Sequence, residues 1–283
     1  MKPGTMQPYA LTLDKVIDHA ARWHPHSQVV TATGSSSSSR LGYAELRTKA
    51  KRVSAALAER NVTQGECVAT LAWNTQAHLE CWYGIMGMGA ICHTLNPRLL
   101  PVQLAAMLNE SGARILVLSA DLFGLAREVL EKATAVEEVL LIDGDAEPGS
   151  NSNGAYRIGR MADAAAEAPE PVEWGLFDEN APCGLCFTSG TTGAPKGVTY
   201  THRGNYLHTM RQLQADVAAL THRDSVLTLV PMFHANAWGL PFSVLAAGGK
   251  LVLPGTQSDG AAIARLIREE QVTVGVGVPT VWL

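Results

Sequence analysis

The sequence predicts an α/β protein with layered sheets flanked by helices. Short apolar runs, typical of buried strands, alternate with segments in which apolar residues recur at helical spacing. That order is expected when helices cover the faces of a mostly parallel sheet. The composition of the 283 residues agrees, because 47% are hydrophobic and 17% charged, enough for a globular core.

The first half of the chain contains several pairs of such elements. Helices are expected where apolar residues recur at helical spacing, at 13–20, 46–57 and 79–86, and near 101–110 and 121–132. Strands are expected at the short apolar runs 67–71, 90–94, 115–118 and 139–142. Gly34 and the serines 35–39 predict a hairpin tip, and residues 143–157 predict a loop.

The second half continues the alternation. A helix is expected from the apolar positions Tyr206, Met210, Leu213 and Val217, and another over 237–247. The expected strands are 226–230, 250–253 and 272–278, with a helix around 263–267. We expect two sub-regions, about 1–180 and 181–283, that meet near residue 180.

A glycine-rich loop is the most informative local feature. Its three glycines let backbone amides turn toward a bulky anion, four hydroxyls add donors, and one lysine adds a mobile positive charge. The predicted phosphate-binding residues are Thr188, Ser189, Gly190, Thr191, Thr192, Gly193, Lys196 and Gly197. The spacing is not that of a Walker A loop, which argues against a P-loop hydrolase or kinase. The alternative is an ordinary polar loop.

Other function classes have little support. A net charge of −4 gives no reason to expect nucleic acid as a partner. We expect no transmembrane segment and a cytoplasmic location, because no apolar run of 18 residues or signal-peptide core is present. Cys183 and Cys186 form a lone CxxC without the second pair of ligands that a zinc site normally has. We therefore expect core cysteines.

Four segments together resemble the adenylate-forming, or AMP-binding, superfamily. The glycine-rich loop carries the superfamily resemblance, and residues 230–241, 93–99 and 277–283 look like medium- and long-chain fatty acyl-CoA synthetases. The resemblance runs from about Leu11 to the last residue. The adenine-binding, ribose-binding and C-terminal lysine motifs of that family do not occur in these residues. We therefore expect an incomplete N-terminal AMP-binding domain over 1–283, without the rest of the large domain or the small lid domain, and inactive alone.

The resemblance implies a two-step ligase reaction with ATP, Mg²⁺, CoA and a fatty acid as reactants and cofactor. A carboxylate attacks the α-phosphorus of ATP to form an acyl adenylate, and the CoA thiol then displaces AMP. Lys196 and His234 are the implied catalytic residues, and Thr188 is the implied Mg²⁺ contact. His234, Ala235 and Trp238 would line the nucleotide and acyl pocket, with Trp238 as the gate. A homodimer of the full-length protein is compatible with the family.

Structural roles remain open for these same residues. Thr188 could cap its own loop, His234 could be a satisfied structural histidine, and Trp238 could belong to the core. His202, His208 and His222 lack the context of His234 and are expected at the surface. The rival function is a non-catalytic binding or interaction protein derived from an acyl-CoA synthetase.

Overall fold

The computed structural model describes residues 4–6, 8–34, 37–144, 156–169, 172–188 and 195–282. Within them the helices are α1 (Asp14–Trp23), α2 (Tyr43–Ala58), α3 (Gln76–Gly87), α4 (Pro101–Ser111), α5 (Phe123–Leu130), α6 (Met161–Glu167), α7 (His202–Gln212), α8 (Leu240–Ala247), α9 (Gly260–Glu269) and α10 (Pro279–Trp282). The strands are β1 (Gln28–Ala32), β2 (Ser38–Gly42), β3 (Cys67–Leu71), β4 (Ile91–Thr94), β5 (Ile115–Leu118), β6 (Glu138–Leu141), β7 (Arg157–Arg160), β8 (Pro182–Thr188), β9 (Lys196–Thr201), β10 (Ser225–Thr228), β11 (Lys250–Leu253) and β12 (Val274–Val276).

These strands form two sheets. A five-stranded sheet has the order β12-β10-β11-β1-β2, and a seven-stranded sheet has the order β7-β6-β5-β3-β4-β8-β9. Each is parallel except for one antiparallel edge strand, β2 in the first and β9 in the second. Parallel strands need crossover helices, so both faces of each sheet become covered.

The layers follow from three apolar clusters. The largest joins the facing sides of both sheets through α1, α2, α3 and α8, while α4 and α5 cover the outer face of the seven-stranded sheet and α9 that of the other. β5 shows why its sequence is continuously apolar: Ile115 and Val117 belong to the central cluster, and Leu116 and Leu118 to the outer one. Period-two alternation places each pair on a different buried face.

Two helices of the central layer approach each other closely. A Cβ on Gly84 of α3 would lie 2.7 Å from Val53 Cγ1 and 2.8 Å from the Ala50 carbonyl oxygen of α2. Glycine therefore permits this contact, and the apolar face that the sequence predicts for α3 is buried: Leu79, Trp82, Tyr83 and Met86 are at most 1% exposed.

The predicted strands agree with the structure to within a few residues at their ends. Residues 35–36 of the expected hairpin tip and 145–155 of the expected loop lie outside the described residues. β7, β8, β9, α6 and α10 were not predicted, and β1 and β2 were implied only by the hairpin tip. Residue 180 does not separate the sheets, because β8 and β9 extend the seven-stranded sheet and β1 and β2 join the C-terminal strands. α7 buries His202, Asn205 and Thr209 rather than the apolar positions that predicted it, and it ends before Leu213.

Across the described residues, none of the helices combines the length and apolar character that a membrane crossing requires.

Candidate active site

The glycine-rich loop connects two antiparallel strands at the edge of the seven-stranded sheet. Thr188 ends β8 and Lys196 begins β9, and the two are direct cross-strand partners. The Thr188 hydroxyl lies 3.5 Å from the Lys196 carbonyl oxygen, the limit of a hydrogen bond, and both residues are exposed. A hydroxyl and an ammonium group thus stand at the base of the loop. The predicted contacts Ser189, Gly190, Thr191, Thr192 and Gly193 lie outside the described residues.

Gly197 lies in β9, opposite Phe187. A Cβ at this position would be 3.1 Å from Leu185 Cδ1 and 3.3 Å from Phe187 Cζ. A larger residue here would therefore require the Leu185 and Phe187 side chains to move by a few tenths of an ångström. Its exposed backbone remains next to Lys196 at the base of the loop.

The segment that follows β10 passes over the carboxyl ends of β4 and β8. The Thr94 hydroxyl, at the end of β4, lies 3.3 Å from the Phe233 carbonyl oxygen and 3.2 Å from Cys186 Sγ. The backbone N–H groups of Ala235 and Asn236 also lie close enough to the Cys186 thiol to oppose the rise in its pKa that burial causes. Cys186 and Thr188 share one face of β8 because side chains alternate along a strand. The segment that carries His234 is thus packed beside the strand that ends at the phosphate loop.

Residues 235–238 form a left-handed turn, which corrects the prediction of a helix over 237–247. The φ angles of Ala235, Asn236, Ala237 and Trp238 are 45°, 52°, 48° and 55°, and α8 begins only at Leu240. Trp238 lies four residues after His234, but no right-handed helical turn between them puts both side chains on one face. Their relative orientation is set by this turn instead.

Side chains of α7 hold the left-handed turn. Gln212 Nε2 donates to the Trp238 carbonyl oxygen at 2.7 Å, and His208 Nε2 lies 3.0 Å from the same oxygen. Asn236 Nδ2 donates to Asn205 Oδ1 at 3.3 Å. Since α7 follows β9 directly, the phosphate loop and the turn share one supporting helix.

The three predicted pocket residues are accessible in different degrees. His234 is exposed, Ala235 is half-buried, and Trp238 is 41% exposed. Trp238 is therefore not a core tryptophan. Its indole and the His234 imidazole are both available to a ligand.

One further expectation about histidines is wrong. His208 and His222 are exposed, but His202 is completely buried, where its Nδ1 accepts a hydrogen bond from the Leu13 backbone N–H at 3.2 Å. Burial lowers the pKa of His202 to about 4. It is a neutral structural residue at the start of α7.

Thr188 is compatible with a role as a single Mg²⁺ ligand. Mg²⁺ usually keeps several waters and binds substrate phosphates together with one or two protein oxygens. The Thr188 hydroxyl is exposed and only weakly bonded. Over the described part of the chain, no three His, Cys, Asp or Glu side chains are placed to hold a metal ion, so the protein by itself offers no complete metal site there.

The two cysteines of β8 are core residues, as expected. Burial raises the pKa of the Cys183 thiol to about 12 and also raises that of Cys186. Neither thiol is primed for redox or metal chemistry, since the reactive form is the thiolate.

Sequence reasoning missed the polar residues that hold the site together: Asn74, Thr94, Asn205 and Asn236. Each is a buried polar residue. Asn74 and Asn205 lie outside the segments that carry the family resemblance, and Thr94 and Asn236 lie inside them but received no role from it. The position of Asn74 just after a buried strand was a usable signal, because ligands and their supports collect at the carboxyl ends of parallel strands.

A sequence profile of the AMP-binding enzymes matches residues 17–283. The chain belongs to the AMP-binding enzyme family. This AMP-binding chain is 37% identical over 282 residues to a medium-chain-fatty-acid–CoA ligase from Ectopseudomonas oleovorans, covering 99% of the chain and 51% of that relative. It is 36% identical over 282 residues to a 3-methylmercaptopropionyl-CoA ligase from Ruegeria lacuscaerulensis, with the same coverages. The chain thus spans about half the length of the curated relatives it matches.

The AMP-binding fold is also that of solved structures. The crystal structure of the anthranilate CoA ligase AuaEII in complex with anthranoyl-AMP superposes with a TM-score of 0.85. The match covers 100% of this chain and 52% of that one, at 22% sequence identity. This likeness shows that the chain has the fold of about half of that structure, with two sheets and flanking helices.

Proposed function

We propose that the intact enzyme containing this segment is an ATP-dependent acid–thiol ligase acting on a medium- or long-chain fatty acid. The observation that carries the proposal is the pairing of Thr188 with Lys196 at the base of the glycine-rich loop, beside the segment that presents His234 and Trp238. The named activities of the related ligases support the same reaction class.

The first half-reaction brings two anions together. The acid carboxylate attacks the α-phosphorus of ATP, pyrophosphate leaves, and an acyl adenylate forms. Positive charge and oriented amides are needed where charge develops on the phosphates. We assign Lys196 to the β- and γ-phosphates. Its position as the first residue of β9, at the base of the loop, supports this assignment.

Bound Mg²⁺, held by the phosphates and the Thr188 hydroxyl, would neutralise phosphate oxygens. His234, exposed at the start of the left-handed turn, would donate to the acid carboxylate or an α-phosphate oxygen. Trp238 would border the acyl chain, and Ala235 would leave room for the nucleotide. In the second half-reaction the CoA thiol displaces AMP, through contacts that we assign to parts of the intact enzyme beyond these residues.

The proposal is tested by the acid-dependent exchange of labelled pyrophosphate into ATP, catalysed by the intact enzyme. This exchange reports the reversible formation of the acyl adenylate. The acids to compare are 3-methylmercaptopropionate and unbranched fatty acids from C4 to C18, each with ATP and Mg²⁺, without CoA. We expect exchange that rises toward C8–C18 acids and thioester formation once CoA is added.

Two other outcomes decide against parts of the proposal. Exchange confined to 3-methylmercaptopropionate and C4 acids would reject the fatty acid as substrate while keeping the ligase reaction. No exchange with any acid, together with nucleotide or acid binding, would favour the non-catalytic binding protein.

A further inference from the structure

We infer that Asn74 is a positioning residue that clamps the segment before His234 and so fixes the site across the two sheets. Asn74 lies in the loop between β3, in the seven-stranded sheet, and α3, and it is 6% exposed. The catalytic consequence of this inference rests on the proposed function, but its structural part does not.

Both ends of the Asn74 side-chain amide bond to one backbone segment, the end of β10 in the five-stranded sheet and the residues that follow it. Its Nδ2 donates to the carbonyl oxygens of Thr228, at 3.1 Å, and Val230, at 2.8 Å. Its Oδ1 accepts from the Met232 N–H at 2.7 Å. A flipped amide would set an oxygen against two carbonyls, so these partners define its orientation.

The backbone of the loop is fixed independently of that side chain. The Asn74 carbonyl oxygen accepts from the Gly255 N–H at 3.0 Å, just after β11. His78 Nδ1 lies 2.9 Å from the Trp73 carbonyl oxygen, while Trp82 Nε1 donates to His78 Nε2 at 3.1 Å. Nδ1 is therefore the protonated nitrogen and donates to Trp73.

That support persists at neutral pH. Burial lowers the pKa of His78 to about 4, so the imidazole is neutral and keeps this arrangement. Gln76 N–H also donates to Thr31 Oγ1 of β1 at 2.9 Å. The loop that carries Asn74 is held by both sheets before any ligand binds, which is the preorganisation that a positioning residue requires.

The clamp acts on the chain that leads into the proposed site. Met232 is two residues before His234, and the next anchors along the chain are Thr94 on the Phe233 carbonyl and the amides of Ala235 and Asn236 on Cys186. Substitution of Asn74 removes the side-chain bonds that hold residues 230–232, whereas Thr228 and Leu229 keep their backbone pairing with β12. The pairing of β8 with β9 at the base of the phosphate loop does not depend on Asn74. We therefore expect the position of His234 and of the left-handed turn to change, and the binding of ATP phosphates to change much less.

The matched control is Asn109→Ala. Asn109 also bridges two backbone groups, donating to the Lys132 carbonyl at 2.9 Å and accepting from the Thr134 N–H at 3.0 Å. It lies in α4, at the outer face of the seven-stranded sheet, and its two partners belong to the segment that follows α5. Unlike Asn74, Asn109 is exposed. Both substitutions remove side-chain bonds to backbone, but only one releases the segment before His234.

The intact enzyme is labelled with 5-fluorotryptophan, and the ¹⁹F resonance of Trp238 is assigned by its loss in Trp238→Phe. Asn74→Ala is expected to shift or broaden this resonance, whereas Asn109→Ala leaves it unchanged. Asn74→Ser, a smaller polar replacement, serves if Asn74→Ala does not fold. If the Trp238 resonance has the same chemical shift and width in a folded Asn74 variant, Asn74 does not hold this segment in position. That conclusion holds whether or not the enzyme is active.

Steady-state exchange then tests the catalytic consequence. Asn74→Ala is expected to lower kcat at least about tenfold while the KM for ATP changes less than about threefold, a loss specific to orientation in the reacting complex. An equal loss of kcat in Asn109→Ala would mean that Asn74 affects catalysis only through the general stability of the fold, and not by positioning His234. Absence of exchange in the unsubstituted enzyme would reject the proposed function, and the ¹⁹F result would still decide the clamp.

Discussion

At the scale of single residues, Lys196 and Thr188 derive their placement from backbone pairing. The antiparallel register fixes both α-carbons at the base of the loop, and both side chains are exposed. Lys196 has no ion-pair partner in the described part of the chain, so its charge is available to a ligand. A hydrated, flexible ammonium suits a group that must grip phosphate and then let pyrophosphate leave.

Lys196→Ala removes this charge and should slow adenylate formation in the intact enzyme. Lost electrostatic contacts to developing charge cost about 2–4 kcal/mol, or roughly 10²–10³ in rate. Pyrophosphate exchange measures the effect. Lys132→Ala, another exposed lysine but at the end of α5, is the control and should leave exchange unchanged.

Trp238→Ala tests the residue that we assign to the acyl chain, and its expected effect differs from that of Lys196→Ala. It removes a half-exposed indole and no phosphate contact, so it should change the dependence of exchange on acid length more than the KM for ATP. A uniform loss for every acid, together with normal exchange in Lys196→Ala, would contradict both role assignments.

The residues that could be predicted and those that could not differ in a physical way. Thr188 and Lys196 were predicted because glycines and hydroxyls concentrated in one loop imply an anion without reference to the rest of the fold. Asn74 and Asn236 were not, because each has meaning only through partners more than 30 residues away along the chain, such as Val230 and Asn205.

At the scale of elements, α7 shows where periodicity misleads. The apolar positions Met210 and Val217 that predicted it are 36% and 48% exposed. Its buried face is polar because its partners are polar: Asn205 donates to Cys183 Sγ, and the Thr209 hydroxyl donates to the Asn205 carbonyl oxygen at 2.8 Å. The other two positions, Tyr206 and Leu213, are partly buried against the central cluster. The spacing thus predicted a helix but did not identify the polar residues of its most buried face, since periodicity counts only apolar side chains.

The left-handed turn at residues 235–238 could not be predicted from the sequence either. Four consecutive residues other than glycine in this conformation cost about 1–2 kcal/mol each, so no local preference predicts it. Bonds from Gln212, His208 and Asn205 offset that cost. Strain that is held by surrounding contacts is often found where a site must keep one geometry.

Ala235 gives a direct test of this strain. Its φ is 45°, so Ala235→Gly should match or exceed the original stability by up to about 1 kcal/mol, because glycine adopts this conformation without steric cost. Ala235→Val should lose at least about 1 kcal/mol, since a β-branched side chain tolerates it poorly. Urea unfolding of the intact enzyme gives the free energies.

The control is an alanine with ordinary helical geometry. Ala264→Gly, at an exposed position within α9, should lose about 1 kcal/mol, the opposite sign to Ala235→Gly. Equal losses for glycine at both positions would mean that the turn is not strained as described.

At the scale of the whole molecule, the sequence predicts strands but not the sheet to which each belongs. β1 pairs on one side with β11, so that Val29 lies opposite Leu251, a residue far away in the sequence. On its other side β1 pairs with β2, the next strand in the sequence. Apolar runs buried on both faces look alike in every sheet, so composition cannot assign partners. The α/β class and most of the alternating helices and strands were predictable; the interleaving of the two sheets was not.

Three buried histidines spread over this architecture make its stability sensitive to acid. His78 in α3, His93 in β4 and His202 in α7 are all fully buried, and burial lowers the pKa of each to about 4. The unfolded chain takes up protons near pH 6.5 and the folded chain only near pH 4. Between these values the unfolded state binds more protons, so the free energy of unfolding must fall as pH falls.

The expected slope is about 1.4 kcal/mol per pH unit for each histidine, or up to about 4 kcal/mol per unit for three near pH 5. Urea unfolding at pH 7, 6, 5.5 and 5 measures it. Burial raises the pKa of Glu270, but Arg40 and Lys250 lower it more, so the net shift is downward from the usual value of 4.5. Glu270 therefore affects the pH dependence of the unfolding free energy mainly below pH 4.5. Glu80, whose pKa burial raises, acts in the opposite direction because its folded form takes up a proton first. His93→Gln removes one titrating group and should reduce the slope by about one third; an unchanged slope would mean that His93 is not among the groups that resist protonation.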